Sequence, residues 1–180
     1  QGFATDKIHV IYEAAAGIFK PIKSVSVKAK YQLTKPFILS VGTREPRKNI
    51  KRLIEAWKPL RRRYDLVIVG QFGWGEKTKA LPGVKLLGFV PDEDLAGLYS
   101  GAQAFVYPSL YEGFGLPVVE ALSCGCPVVT SNVSSLPEIG GQAAVYVEPT
   151  SINSITQGIR TAIDQSGRLS RLGLIQAKRF

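Results

Sequence analysis

The sequence has one histidine, His9, two cysteines and no methionine. Cys124 and Cys126 stand one residue apart, a spacing that rarely forms a structural disulfide, and two thiols without histidine partners cannot complete a zinc site. Both are read as reduced, core-filling residues of a cytoplasmic protein. No Cys/His or Ser/His nucleophile can be assembled, and His9, next to Ile8 in a short apolar run, reads as structural. No apolar run approaches the ~18 residues of a membrane span. The first residues hold no signal-peptide core, and there is no internal repeat or low-complexity tract. The chain opens on Gln1 rather than methionine, and a piece of a longer protein is expected.

What is present fits one folded domain with a full core. Of 180 residues, 45% are hydrophobic and 21% charged, which argues against disorder. The formal net charge is +9, with lysine and arginine gathered at residues 20–35, 44–63 and 160–179. Such a balance favours an anionic ligand or surface. Aromatics are sparse in these clusters, so nucleic acid is not expected as a partner.

From residue 37 onward, short β-branched runs alternate with helical patterns. Strands are expected at 37–41, 66–69, 84–87, 104–107, 127–130 and 144–147. Most are continuously apolar, so both faces should be buried, as in a parallel sheet. Asn49 can cap a helix carrying Ile50, Leu53, Ile54, Trp57 and Leu60 on one face. Further helices are expected after Pro91, at 116–123, at a capping-box spacing Ser135-Leu136-Pro137-Glu138, and at 151–164. Repeated strand–helix units predict an α/β fold with a doubly wound, Rossmann-like parallel sheet. Ligands of such folds bind beyond the C-terminal strand ends. Residues 1–35 fit the pattern poorly: residues 7–12 could form a strand, and 20–35 read as an exposed lead-in. The expected division is therefore a lead-in at 1–35 and a domain at 36–180.

Two segments carry chemistry. In Tyr107-Pro108-Ser109-Leu110-Tyr111-Glu112-Gly113-Phe114-Gly115-Leu116-Pro117-Val118-Val119-Glu120, a strand ends, a glycine-rich turn follows and a helix begins. Gly113 and Gly115 let backbone N–H groups approach a ligand, and the helix N-terminus suits a diphosphate. Glu112 and Glu120 bracket the turn. The second segment, Ser40-Val41-Gly42-Thr43-Arg44-Glu45-Pro46-Arg47-Lys48-Asn49, places two adjacent cations, Arg47 and Lys48, beside another helix start. Asp92-Glu93-Asp94 matches an Asp-x-Asp metal motif, but at a helix start its acids already suit the dipole. Gly70-Gln71-Phe72-Gly73-Trp74-Gly75 is not a dinucleotide fingerprint.

Glu112 and Glu120, with seven residues between them, resemble the paired-glutamate signature of the large "group 1" family of retaining glycosyltransferases. That family includes bacterial mannosyl- and glucosyltransferases, sucrose synthase and glycogen synthase, and has the two-domain GT-B architecture. The Gly-Thr-x-Glu-Pro-Arg-Lys-Asn run resembles a second family pattern, and 84–95, 126–132 and 136–139 continue the likeness. One departure is Thr43, where many members have an arginine; Arg47, or else Arg44, would supply that guanidinium.

The resemblance implies the C-terminal, nucleotide-sugar-binding half of such an enzyme, facing an acceptor domain absent from this sequence. It further implies that Glu112 orients the sugar and that Glu120 accepts from the ribose hydroxyls. Gly42, Thr43, Arg47, Lys48, Gly113, Phe114, Gly115 and Leu116 would surround the donor, and Val90 would offer backbone groups to the base. Transfer of a hexose from a nucleotide diphosphate sugar to a hydroxyl acceptor is expected, with no cofactor and no metal. The alternatives are a non-catalytic nucleotide-binding module and a GT-B-like sugar-nucleotide epimerase. A cytoplasmic location is expected, with peripheral contact at the inner face of an anionic membrane through residues 20–35.

Overall fold

A computed structural model describes residues 9–75 and 81–180. Among the described residues, six strands form one wholly parallel sheet: β1 Phe37–Val41, β2 Asp65–Val69, β3 Val84–Leu86, β4 Ala104–Tyr107, β5 Val128–Ser131 and β6 Ala144–Val147. Their spatial order is β3-β2-β1-β4-β5-β6. All six expected strands are present, each within a residue or so of its predicted place.

Alternate residues of each strand enter two separate cores. Ile38, Leu66, Ile68, Ala104, Val106 and Val129 face helices α2 (Ile50–Trp57) and α6 (Ile152–Asp164), whose Leu53, Ile54, Trp57, Ile155 and Ile159 are buried. Phe37, Leu39, Val67, Phe105, Tyr107 and Val128 face the other layer. That layer contains α1 (Val25–Lys30), α3 (Asp92–Gly101), α4 (Leu116–Ser123), α5 (Leu136–Gly140) and α7 (Ser166–Gln176). The continuous apolar strands are thus explained by a sheet covered on both sides. Each fully buried Ile, Leu or Phe contributes about 1.5–3 kcal/mol of transfer free energy.

Some expectations need correction. Residues 20–35 are not simply an exposed lead-in: they include α1, and Val27 and Leu33 join Phe19 in the same core as α3 and α4. A six-residue helix among lysines, with one buried side chain, leaves too little periodicity to be seen. Of the strand expected at 7–12, Lys7 and Ile8 lie outside the described residues, and 9–12 belong to no strand. Asn49 does not cap α2 with its side chain. It adopts a left-handed conformation, and Nδ2 donates to the carbonyls of Pro108 (2.9 Å) and Pro149 (2.6 Å). Nor does Ser135 form a capping box, because its hydroxyl donates to Phe114 O instead. In both cases donation to loop carbonyls fixes the polar side chain, and Asn49 Oδ1 accepts from Arg52 Nη1 (3.0 Å) rather than from a helix amide. Helix α7 follows α6 after a single residue, Gln165, and had no counterpart among the expected elements.

The sheet order reverses between β1 and β4, so the chains leaving these two strands diverge. This is the topological switch point, where open α/β sheets have a ready-made crevice. Both motif segments leave the sheet here. The loop after β1 is sewn to the loop after β4 by Leu110 N–H to Arg47 O (2.8 Å) as well as by Asn49.

Candidate active site

The crevice gathers two carboxylates, Glu112 and Glu45, and two cations, Lys48 and Arg47. A helical turn at Pro46–Lys48 ends the β1 loop and turns Lys48 inward, 8% exposed. Its ammonium donates to Glu112 Oε1 (2.7 Å) and to the Tyr107 hydroxyl, and lies 4.6 Å from the Tyr107 ring centroid. Arg47 Nη1 donates to the other oxygen, Glu112 Oε2 (2.7 Å), and its Nε to Glu45 Oε2 (2.9 Å). Glu112 is itself 7% exposed, and its backbone N–H donates to Ser134 Oγ (3.1 Å). Burial pushes the Glu112 carboxyl up, but hydrogen bonding and charge from Lys48 more than reverse this, leaving it below the usual carboxylate range. Burial likewise works against the Arg47 guanidinium, yet Glu112 and Glu45 outweigh it and raise its pKa.

The turn after Glu112 is held open. Gly113 is exposed, and a Cβ there would meet nothing within 4 Å. Gly115 has φ +114° and precedes Leu116, the first residue of α4; a Cβ would stand 2.9 Å from Leu136 Cδ2. Phe114 joins a ring cluster, 6.3 Å from Tyr12 and 5.9 Å from Phe180 by centroid. Tyr12 also donates to Glu138 Oε1 (2.6 Å).

Glu120 lies one turn into α4, and its Oε2 accepts from the buried Tyr99 hydroxyl (2.9 Å). Burial raises its pKa, with a smaller push from Asp92, against the lowering effect of Tyr99. Gly42 follows β1 and packs against Lys48: a Cβ would lie 3.2 Å from Lys48 Cε. Thr43 is exposed, while the Val90 side chain is buried in the core. Of the two arginine candidates, Arg47 sits on Glu112, whereas Arg44 lines a neighbouring cavity with Trp74. Asp94 Oδ2 is engaged by Lys30 (2.5 Å) and Tyr31 (2.8 Å) of the α1 region.

Three contributors were not singled out from the sequence: Tyr107 beneath Lys48, Tyr99 behind Glu120, and Ser134 on the Glu112 amide. Tyr107 had a signal, since a tyrosine in a buried strand needs a partner for its hydroxyl. Tyr99 lies on a helix and Ser134 in a distant turn, and neither position marks itself.

A glutamate held by adjacent cations at a switch point, ahead of a glycine turn and helix N-terminus, is an arrangement suited to a phosphorylated sugar. The sequence profile of the family described as glycosyl transferases group 1 matches residues 23–179. The chain belongs to this family. It is 44% identical over 176 residues to O-antigen chain mannosyltransferase B of Escherichia coli, an alignment covering 89% of this chain and 46% of that protein. It is 34% identical over 172 residues to the serotype-specific mannosyltransferase WbdA of E. coli, covering 86% of the chain and 21% of WbdA. The chain thus spans about half or less of these relatives' lengths. Among solved structures, sucrose-phosphate synthase from Thermosynechococcus elongatus superposes with a TM-score of 0.78 at 25% identity, covering 93% of this chain and 47% of that one. Anabaena HepE in complex with UDP and glucose gives 0.82 at 20% identity, over 99% and 54%. The fold is therefore that of the C-terminal Rossmann-like domain of a GT-B glycosyltransferase. Among the described residues, no helix is long and apolar enough to cross a membrane.

Proposed function

We propose that this domain binds a nucleotide diphosphate sugar and that the full-length protein transfers its hexose, of mannose type, to a hydroxyl acceptor with retention at the anomeric carbon. The observation that carries the reading is the grip of Lys48 and Arg47 on Glu112 at the switch point. Breaking a glycosyl–phosphate bond builds negative charge on the departing diphosphate, and preorganised cations and backbone dipoles stabilise such charge. Lys48, Arg47, the open turn at 113–116 and the N-terminus of α4 supply these without a metal or other cofactor.

In this structure the two cations satisfy the carboxylate. A diphosphate competes for them, and each Glu112 oxygen that is released can accept from a sugar hydroxyl. Glu112 then acts by positioning the ring. Glu120, backed by Tyr99, accepts from the ribose hydroxyls. The relatives named as mannosyltransferases support the sugar class. The acceptor domain is a further partner, supplied by the part of such enzymes that this chain does not span. The free, buried cysteines suit a cytoplasmic location, and the lysines of residues 20–35 suit contact with an anionic membrane.

The test is a thermal-shift panel of UDP, GDP, ADP and their sugars, repeated in EDTA. A ligand that binds only the folded chain raises the melting temperature. The expected result is a shift with one nucleoside diphosphate family, retained in EDTA and lost in Lys48→Ala. No shift with any of them, or the same shift in Lys48→Ala, refutes the assignment.

A further inference from the structure

The loop after β2, Gly70 to Gly75, is absorbed neither by the core nor by the donor crevice. Its backbone runs against the β1 loop: Arg44 N–H donates to Gln71 O (2.9 Å), Gly73 N–H donates to Arg44 O (3.3 Å), and Arg44 and Phe72 form a parallel bridge. The approach is close enough to exclude side chains. A Cβ on Gly70 (φ +130°) would lie 2.1 Å from Gly42 O, and one on Gly73 would lie 2.7 Å from Thr43 Cγ2. The loop is therefore fixed to the segment that carries Arg47 and Lys48, on the same edge of the sheet.

That packing pushes Trp74 outward, 63% exposed. Beside it opens a cavity of about 260 Å³, lined among others by Arg44, Glu45, Asn49, Arg52 and Trp74. Among the described residues Arg44 Nε is buried without a hydrogen-bond partner, and a buried donor without an acceptor is costly unless something fills the site. A flat exposed indole next to guanidinium donors suits a ligand with one apolar face and a hydroxylated edge, which is the construction of a pyranose ring. Small-ligand sites have this make-up of aromatic wall and few placed polar groups.

We infer that Trp74 and the Arg44–Arg52 cavity form a saccharide subsite that holds the acceptor glycan beside the donor. One sugar ring packs on Trp74, and its hydroxyls accept from Arg44 and Arg52. The inference rests on the sugar-transfer reading above, and it assigns part of acceptor recognition to the donor domain. The cavity is lined by Arg44, Glu45 and Pro46 of the β1 loop rather than by Lys48 or Glu112, so the nucleotide and the glycan occupy separate places.

The chain has two tryptophans, Trp57 buried at 1% exposure and Trp74 in solvent, so emission changes on sugar binding report Trp74. The experiment titrates the 180-residue chain with a mannose disaccharide, with maltose, and with the mannose disaccharide in saturating GDP or UDP. The expected result is a saturable emission change with the mannose disaccharide that persists in either nucleotide. It disappears in Trp74→Ala, and its midpoint shifts about tenfold or more in Arg44→Ala, as loss of a charged donor implies. No saturable change, a change that survives in Trp74→Ala, or displacement by nucleotide overturns the subsite. Nucleotide calorimetry on the unaltered chain separates the two readings. Retained nucleotide binding without a disaccharide response removes the subsite and leaves the donor site standing. A disaccharide response without nucleotide binding does the reverse.

Discussion

Replacing Lys48 by methionine keeps most of the side-chain volume and removes only the charge. The Lys48 and Glu112 side chains are 9% and 8% exposed and 2.7 Å apart. Stripping one partner from a buried pair costs about 3–5 kcal/mol, because the other charge is left without compensation. Here Arg47 still holds the second oxygen of Glu112 from a position 42% exposed, so the cost drops below that range, to roughly 2–3 kcal/mol. With a urea slope of about 2 kcal/mol/M, the unfolding midpoint should fall by roughly 1–1.5 M at unchanged slope. Buried Trp57 provides the fluorescence signal. Adding Glu112→Gln to Lys48→Met removes the stranded charge and should recover about 1 kcal/mol or more, a coupling expected of residues in direct contact. If the double variant is as unstable as the sum of the two single ones, the pair is not an energetic unit. The account of the site as a self-neutralised cluster then fails.

Glu120→Gln should weaken nucleotide binding by about 1–3 kcal/mol, the range of a charge-assisted hydrogen bond, while the fold survives; unchanged affinity in calorimetry removes Glu120 from the site. Because its carboxyl is raised by burial, nucleotide affinity should also fall as pH is lowered through that raised value, and Glu120→Gln should abolish this dependence. Glu112 has the opposite shift: its folded pKa is below the unfolded value, so its stabilisation is present above the unfolded pKa and lost as pH falls through the folded one. Melting curves between about pH 3 and 7, spanning the ordinary carboxylate range, should show a shallower acid limb in Glu112→Gln. Gly70→Ala should destabilise by roughly 3–5 kcal/mol, since Cβ meets the Gly42 carbonyl in a disfavoured backbone conformation. Gly113→Ala, facing open space, should stay within about 0.5 kcal/mol, and equal effects in thermal unfolding would undo the distinction.

The sheet was legible because parallel strands buried on two faces leave uninterrupted Val, Ile, Leu and Phe runs that nothing else in the chain imitates. The motif residues were legible because glycines beside carboxylates and paired cations are uncommon combinations. Their joining was less so: nothing local says that Lys48 reaches Glu112, which depends on β1 and β4 being neighbours at the reversal of strand order. Caps were misjudged for a related reason. Asn49 and Ser135 carry correct capping chemistry, but donation to tertiary carbonyls of residues 108, 149 and 114 fixes these side chains in other contacts. Helix α1 was hidden because its helical period is too short to register among lysines, and its burial comes from α3, far along the chain.

The tight seam between the β1 and β2 loops also defines where this protein can tolerate change. At Gly70 and Gly73 the opposing loop leaves no room for a side chain, so the path of the main chain is set. Positions 71 and 72 fall between them and 74 follows Gly73, and Phe72 and Trp74 project outward. The segment therefore behaves as a fixed frame with interchangeable faces. A library randomised at 71, 72 and 74, with both glycines kept, should yield mostly folded variants that differ in what they touch. A library that spares the aromatics and randomises the glycines should yield mostly unfolded ones. For redesign, this rim is the part of the domain where surface chemistry can be exchanged without disturbing the charged centre one loop away.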